Sequence, residues 1–251
     1  MAKKRPKKTM PENTSQPTDP INLFTFTRST IPSLFATVDR LEHAIGLPPG
    51  FYEKLVEGDD DWSFVLKVHA LLEASITMVL AERIGGSLLP DSSDLVNTLS
   101  RLEMSRTDVG KVKLALILGI VDERQSRLLR FLSELRNTFV HDIKNVRLTL
   151  PQYVSSLNPD QQTSFVQRLF SGTDARIHQN ALAHPRRCIW LAVLMLLMNL
   201  RTRYELLQVT RGAPGTSKTA FVREAEALQR DVDALQARIN EQGTPESSGT
   251  E

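Results

Sequence analysis

The sequence predicts an all-α protein: a helical bundle with a disordered N-terminal tail and a C-terminal helical or coiled-coil extension. Apolar residues recur at intervals of three and four through most of the chain, as one buried helix face requires. The alternation of apolar and polar residues that marks a strand is sustained nowhere, although a short extended piece is an alternative near residues 146–150. Clusters of Gly, Pro and Asp separate the periodic segments and mark where helices begin or end.

Six main helices follow from these patterns in chain order. The first covers residues 32–45, ends at a cluster of Gly and Pro, and precedes a short helical turn at 51–56. The clearest helix runs from residue 62 to 84, with three aspartates at its start and two glycines after its end. Further helices are expected at residues 91–102, after Asp122, at 160–170 and at 185–209, with a compact apolar piece at 112–121. Pro151 is expected to open a connection.

The ends of the chain differ from this centre in composition. Residues 1–19 are a basic tail, expected to be disordered because Lys, Pro, Ser and Thr dominate it and no hydrophobic period is present. Residues 20–210 form the helical bundle domain, and residues 241–251 are a second disordered tail.

The formal net charge is only +2, so the overall charge does not identify a nucleic acid or a membrane as the partner.

The single cysteine and the apolar runs indicate the compartment. Cys188 is alone, which excludes a disulfide within the chain and favours the reducing cytoplasm. It lies in an apolar run and is expected to be a small buried hydrophobe. No secretory signal is visible, and the longest apolar run, residues 188–198, is shorter than the roughly 20 residues of a membrane span. We therefore expect no membrane partner.

The most informative motif is Arg136-Asn137-Thr138-Phe139-Val140-His141. Arginine is a permanent cation whose planar fork suits phosphate, and histidine can transfer protons near neutral pH. Five residues on an α-helix turn through about 140°, so Arg136 and His141 do not share one line, whereas Asn137 and His141 share a face. Spacing alone is more typical of a solvated polar edge of a helix.

The surrounding sequence resembles the HEPN superfamily. Residues 114–122 (LALILGIVD) are followed by 128–142 (LLRFLSELRNTFVHD), which is similar to the family's arginine, polar residue and histidine at the end of a bundle helix. The Leu-Gly-Ile step before the motif helix is similar to the branch of mannitol operon repressor-like proteins. The resemblance covers about residues 60–203 and implies a HEPN-like core there.

The resemblance implies an activity and roles for the motif residues. Arg136 and His141 of two protomers would meet across a homodimer cleft and cleave RNA without a metal ion or cofactor. Arg136 would hold the scissile phosphate, His141 would act as general acid or base, and Asn137 would orient either of them. Some family toxins carry a tyrosine two residues after the histidine as a modification site, but this chain has Ile143 there.

Two functions therefore stay open. The first is a metal-independent endoribonuclease or RNA-binding protein of HEPN type, in a toxin, defence or stress role. The second is a non-enzymatic helical dimerisation module or transcriptional regulator resembling mannitol operon repressor, with a regulatory protein partner. The sequence also offers no zinc-type spacing of His and Cys, so we expect no metal.

Two further sets of residues are candidates for supporting roles. His69 and Glu73 lie four apart on the long helix and form either a supporting pair near the motif or an ordinary surface hydrogen bond. Residues 216–240 carry a heptad seam that would either pair two chains as a coiled coil or fold back on the bundle. Its members are Phe221, Ala225, Leu228, Val232, Leu235 and Ile239.

Overall fold

The computed structural model describes residues 32–44, 46–58, 60–85, 93–106, 108–170 and 175–210. Within these ranges the chain is helical and contains no strand, which confirms the all-α class. The helices are α1 (Pro32–Ala44), α2 (Phe51–Glu57), α3 (Asp61–Gly85), α4 (Ser93–Ser100), α5 (Lys111–Ile117), α6 (Glu123–Val140), a 3-10 helix (Ile143–Arg147), α7 (Leu150–Ser156), α8 (Pro159–Leu169), α9 (Ala175–Ala183) and α10 (Pro185–Thr210).

The two longest helices, α3 and α10, pack along each other at the centre of the bundle. The apolar run 188–198 on α10 is buried apart from the partly exposed Met195, so this helix is covered on almost every side, as predicted. Cys188 lies within the run without exposed surface, and burial raises the pKa of its thiol to about 12. It is therefore a packing residue and not a nucleophile.

Helices α4, α5 and α6 cover the other sides of α3. Gly119 ends the short helix α5 and has a φ of +68°, a left-handed backbone conformation that favours glycine. The chain then turns into Asp122, which caps α6. The Leu-Gly-Ile step in the sequence is thus the turn that brings the motif helix alongside α3.

The connection between α6 and α8 differs from the expectation. The extended piece considered near residues 146–150 is absent: Ile143–Arg147 form a 3-10 helix and α7 begins at Leu150. Thr149 caps α7 through a reciprocal capping box with Gln152, and Pro151 occupies the first turn, where a missing N–H costs nothing. Pro151 therefore helps start a helix and does not open a connection. Helix α9 was also not predicted.

The length and hydropathy of α3 would also suit a membrane span, as would α9 and α10 taken together across their bend of 113°. In this structure the apolar side chains of α3 pack mainly against α10, α6 and α4. The predicted tails at residues 1–19 and 241–251 and the heptad seam from Phe221 to Ile239 lie outside the described residues.

Candidate functional site

Helix α6 carries the motif, and both of its ends are fixed by side chains. At its start Asp122 accepts a hydrogen bond from the Gln125 backbone N–H at 2.7 Å, and Gln125 accepts one from the Asp122 N–H at 3.1 Å. This capping box fixes the first residue of the helix. The predicted core stripe is buried, and consists of Leu128, Leu129, Leu132, Leu135 and Phe139.

The end of α6 is held by two donors from other elements. The indole N–H of Trp62 on α3 donates to the carbonyl of Phe139 at 3.1 Å. The side-chain amide of Asn145 donates to the carbonyl of Thr138 at 2.7 Å. Terminal carbonyls of a helix have no partner within it, so these bonds satisfy two of them and fix the backbone leading to His141.

Arg136 is half-buried on α6, and its guanidinium is not neutralised within the described part of the chain. One of its nitrogens donates to the side-chain oxygen of Asn137 at 3.1 Å, and no described carboxylate lies within ion-pairing distance. Its only hydrogen-bond partner among the described residues is thus a neutral amide. A guanidinium in this state retains donors for an anion such as phosphate.

His141 is the C-cap of α6 and is exposed. Its backbone N–H donates to the Asn137 carbonyl at 3.0 Å, while its imidazole has no hydrogen-bond or ion-pair partner among the described residues. The ring is consequently accessible to a ligand from solvent. Its backbone angles stay helical, with φ of −69° and ψ of −22°, so it continues the helix phase.

Within one chain the structure does not bring Arg136 and His141 together on one side of α6. Five residues of helix separate them by about 140° around the axis. Asn137 shares the side of His141 and bonds Arg136, so it links the two parts of the motif.

The predicted pair His69 and Glu73 lies on α3, where it faces α6. The His69 Nδ1 atom is 3.9 Å from a Glu73 carboxylate oxygen, and its Nε2 atom is 3.3 Å from the Ser133 hydroxyl of α6. Burial lowers the pKa of His69, Glu73 raises it, and the charges of Arg136 and Lys111 lower it further, with a net downward shift. His69 is therefore neutral at pH 7, and it connects α3 to the motif helix one turn before Arg136.

Lys111 completes this polar cluster and was not singled out from the sequence. It has no exposed surface, and its ammonium lies 2.7 Å from the Glu73 carboxylate and 3.3 Å from the Ser100 carbonyl. The only sequence signal is a lysine at the start of α5, a short helix that is apolar apart from Lys111 and Lys113. Its partner is 38 residues away, so spacing along one helix could not reveal the pair.

An apolar patch adjoins His141. Ile143 is 84% exposed and Val146 is 45% exposed, both on the 3-10 helix that follows the motif. Among the described residues, no three His, Cys, Asp or Glu side chains cluster as metal ligands do. The candidate site therefore consists of a half-buried guanidinium and an exposed imidazole on different sides of α6, with a small exposed apolar surface directly after the imidazole.

Comparisons of the chain with protein-family models, with curated proteins and with solved structures find no match. The residues just described are consequently the basis for any statement about function.

Proposed function

We propose that this protein is a HEPN-type, metal-independent endoribonuclease that acts as a homodimer in the cytoplasm. The observation that carries the proposal is the state of the motif: Arg136 has no described carboxylate partner and His141 is exposed at the end of the same helix. A half-buried arginine in a helical bundle is commonly paired with an acid. Here the cation is left for a ligand.

RNA supplies its own nucleophile, the 2′-hydroxyl, so the protein has to provide a phosphate ligand and proton transfer. Arg136 would bind a non-bridging phosphate oxygen and stabilise the charge that develops there. A His141 imidazole would remove the 2′-hydroxyl proton as that oxygen attacks phosphorus. A second His141 would give a proton to the departing 5′-oxygen, and the products would be a 2′,3′-cyclic phosphate and a 5′-hydroxyl.

Two copies of the chain supply the two imidazoles that this scheme needs. The separation of Arg136 and His141 around α6 supports the same conclusion, because one copy presents them on different sides. The exposed Ile143 and Val146 lie directly after His141, where an interface between copies would cover them. The proposed dimer therefore buries the patch and places the motifs of both copies in one cleft.

The second candidate is a non-enzymatic dimerisation module or transcriptional regulator of the mannitol operon repressor type. The same apolar patch favours it, since Ile143 and Val146 would serve a dimer or a protein partner without any chemistry. In that case Arg136 would bind an anion or a partner and His141 would have no proton-transfer role.

Cleavage of labelled RNA in EDTA separates the two candidates. The proteins are the wild type, Arg136→Ala, His141→Ala, and a matched control, Arg127→Ala, which removes an exposed arginine from the same helix. We expect cleavage by the wild type and the control and loss of about 100-fold or more in each motif variant. Circular dichroism and sedimentation confirm that each variant is folded and of unchanged mass.

A substrate without the 2′-hydroxyl nucleophile is the control for the proposed reaction. An oligonucleotide with a 2′-deoxyribose at the cleaved position should resist cleavage, because the nucleophile is missing. If the folded wild type leaves a range of RNAs intact, the endoribonuclease is rejected and the regulator remains.

A further inference from the structure

A groove between α6, α7 and α8 opens on the side of α6 that carries His141. It is a cavity of about 170 Å³, and its walls include Phe131 of α6, Tyr153 of α7, and Gln161, Ser164 and Arg168 of α8. The four residues Phe131, Glu134, Thr138 and His141 follow one another at spacings of three, four and three, so they form one side of α6. Seven residues separate Glu134 from His141, about 10 Å along the axis.

Hydrogen-bond donors that have no partner among the described residues line this groove. The hydroxyls of Tyr153 and Ser164 make no hydrogen bond within the described part of the chain. The Gln161 side-chain oxygen accepts from the Asn158 backbone at 3.0 Å, while its amide N–H groups have no described partner. Burial raises the pKa of Tyr153, so its hydroxyl keeps its proton. The groove is therefore complementary to a ligand with several acceptors.

The walls of the groove are aromatic. Phe131 packs edge-on against Phe165 with ring centroids 5.5 Å apart, and the Tyr153 ring is half-buried 6.2 Å from Phe139. The Arg168 guanidinium lies 5.6 Å from the centroid of the Phe131 ring. Phe131 and Phe165 are buried, so the planar groups of the groove that solvent reaches are the Arg168 guanidinium and the half-buried Tyr153 ring. Flat rings stack on the faces of such groups.

The charge of the groove is already balanced. Arg168 pairs with Glu134 at 2.7 Å, so a phosphate placed beside Arg168 would also meet a carboxylate. A neutral ligand meets no such repulsion. The groove thus fits the neutral base of a nucleotide, while its phosphate would bind Arg136, which has no carboxylate partner among the described residues.

We propose that the groove between α6, α7 and α8 binds one unpaired nucleobase of a single-stranded RNA, on the side of the motif helix that leads to His141. This inference rests on the proposed function and specifies its substrate: the RNA must be single-stranded near the cleaved bond, because a paired base cannot enter. The hydrogen-bond donors would bind base carbonyls and ring nitrogens, and the Tyr153 ring and Arg168 guanidinium would stack on the base.

The test uses the full-length protein and a single-stranded 2′-O-methyl RNA hexamer, which lacks the nucleophile and stays intact. Six further hexamers each lack the base at one position. The variant Tyr153→Phe/Ser164→Ala removes two hydroxyl donors and keeps the ring, and Tyr204→Phe removes a hydroxyl on α10 as the matched control. Fluorescence anisotropy gives each dissociation constant.

We expect the double variant to bind the hexamer about tenfold more weakly, since two neutral hydrogen bonds are lost. For one abasic hexamer, wild type and double variant should bind equally, and a 5-iodouridine at that position should cross-link to Tyr153. Tyr204→Phe should match the wild type. Equal binding of every hexamer by wild type and double variant, or cross-links only to other aromatic residues, would overturn the proposal.

The two proposals fail in different ways. If the hexamer binds and Arg136→Ala weakens it, but the groove variant does not, only the nucleobase site is rejected. If no single-stranded RNA binds the folded protein, RNA as the substrate is rejected, and the nucleobase site with it.

Discussion

The ammonium group of Lys111 lies 2.7 Å from a carboxylate oxygen of Glu73, although Lys111 has no exposed surface and Glu73 is about one third exposed. The pair joins α5 to α3 next to His69, whose Nδ1 atom is 3.9 Å from a Glu73 carboxylate oxygen. A buried ammonium whose partner is removed stays uncompensated, and that is more costly than replacing it by an apolar side chain of similar size.

This pair gives a prediction about stability. We expect Glu73→Ala to lower the free energy of unfolding by about 3 kcal/mol, because it leaves Lys111 buried without its partner. Lys111→Met should cost less, and Glu73→Ala/Lys111→Met should be more stable than Glu73→Ala alone. Urea unfolding followed by circular dichroism measures all three. A double variant that is less stable than Glu73→Ala would show that the ammonium needs no compensation from Glu73.

The lowered pKa of His69 gives a prediction about pH. The unfolded chain binds a proton on His69 at a higher pH than the folded chain does, so the free energy of unfolding falls as pH drops below about 6.5. His69→Gln removes this contribution. We therefore expect any stability deficit of His69→Gln at pH 7.5 to shrink at pH 5. His43→Gln, which alters an exposed histidine on α1, is the control. A pH-independent difference between wild type and His69→Gln would contradict the assignment.

The hydrogen bond from Trp62 to the Phe139 carbonyl predicts a local effect at the end of the motif helix. Trp62→Phe keeps most of the ring and removes the donor. We expect a loss of about 1 kcal/mol in the free energy of unfolding and faster hydrogen exchange at the backbone amides near His141. The amides in the first turns of α6 should exchange as in the wild type. Uniformly faster exchange along α6 would point to general destabilisation instead.

The exposed Ile143 predicts the location of the proposed dimer interface. Ile143→Lys places a charge in the patch, and burial of one isoleucine is worth about 1.5–3 kcal/mol. The dissociation constant of the dimer should therefore rise roughly tenfold or more. Ile117→Lys is the matched control, because Ile117 is 67% exposed on a different helix. Sedimentation over a concentration series measures both. Equal dissociation constants for Ile143→Lys and Ile117→Lys would show that the interface does not include Ile143.

Local sequence signals predict most of the described helices, because hydrophobic period and capping act within a few residues. Helix α6 begins where Asp122 predicts, and the long α3 runs within one residue of the predicted bounds. Helix α7 was missed although Thr149, Pro151 and Gln152 form an equally local start signal, since proline alone suggested a break. The start of α7 is therefore encoded locally, by the same kind of capping box that starts α6.

The candidate site was less accessible from sequence. Arg136, Asn137 and His141 are contiguous, so their motif is visible in the chain, and His69 with Glu73 share one helix. Lys111 and Ser133 join the cluster only because α5 and α6 both pack on α3. Contacts across elements depend on how helices pack, and no periodicity along the chain encodes them. The groove beside Tyr153 has the same origin.

The capping box at Asp122 also has a consequence for how this chain tolerates insertions and deletions. It fixes the first residue of α6 locally, so the angular positions of Arg136 and His141 depend only on the number of residues after Asp122. Insertions or deletions in the turn around Gly119 leave the angular positions of Arg136 and His141 around α6 unchanged. One residue inserted between Asp122 and Arg136 rotates both by about 100° and carries them away from α3 and the groove. The motif is thus insensitive to changes in the preceding turn and intolerant of a single added residue within its own helix.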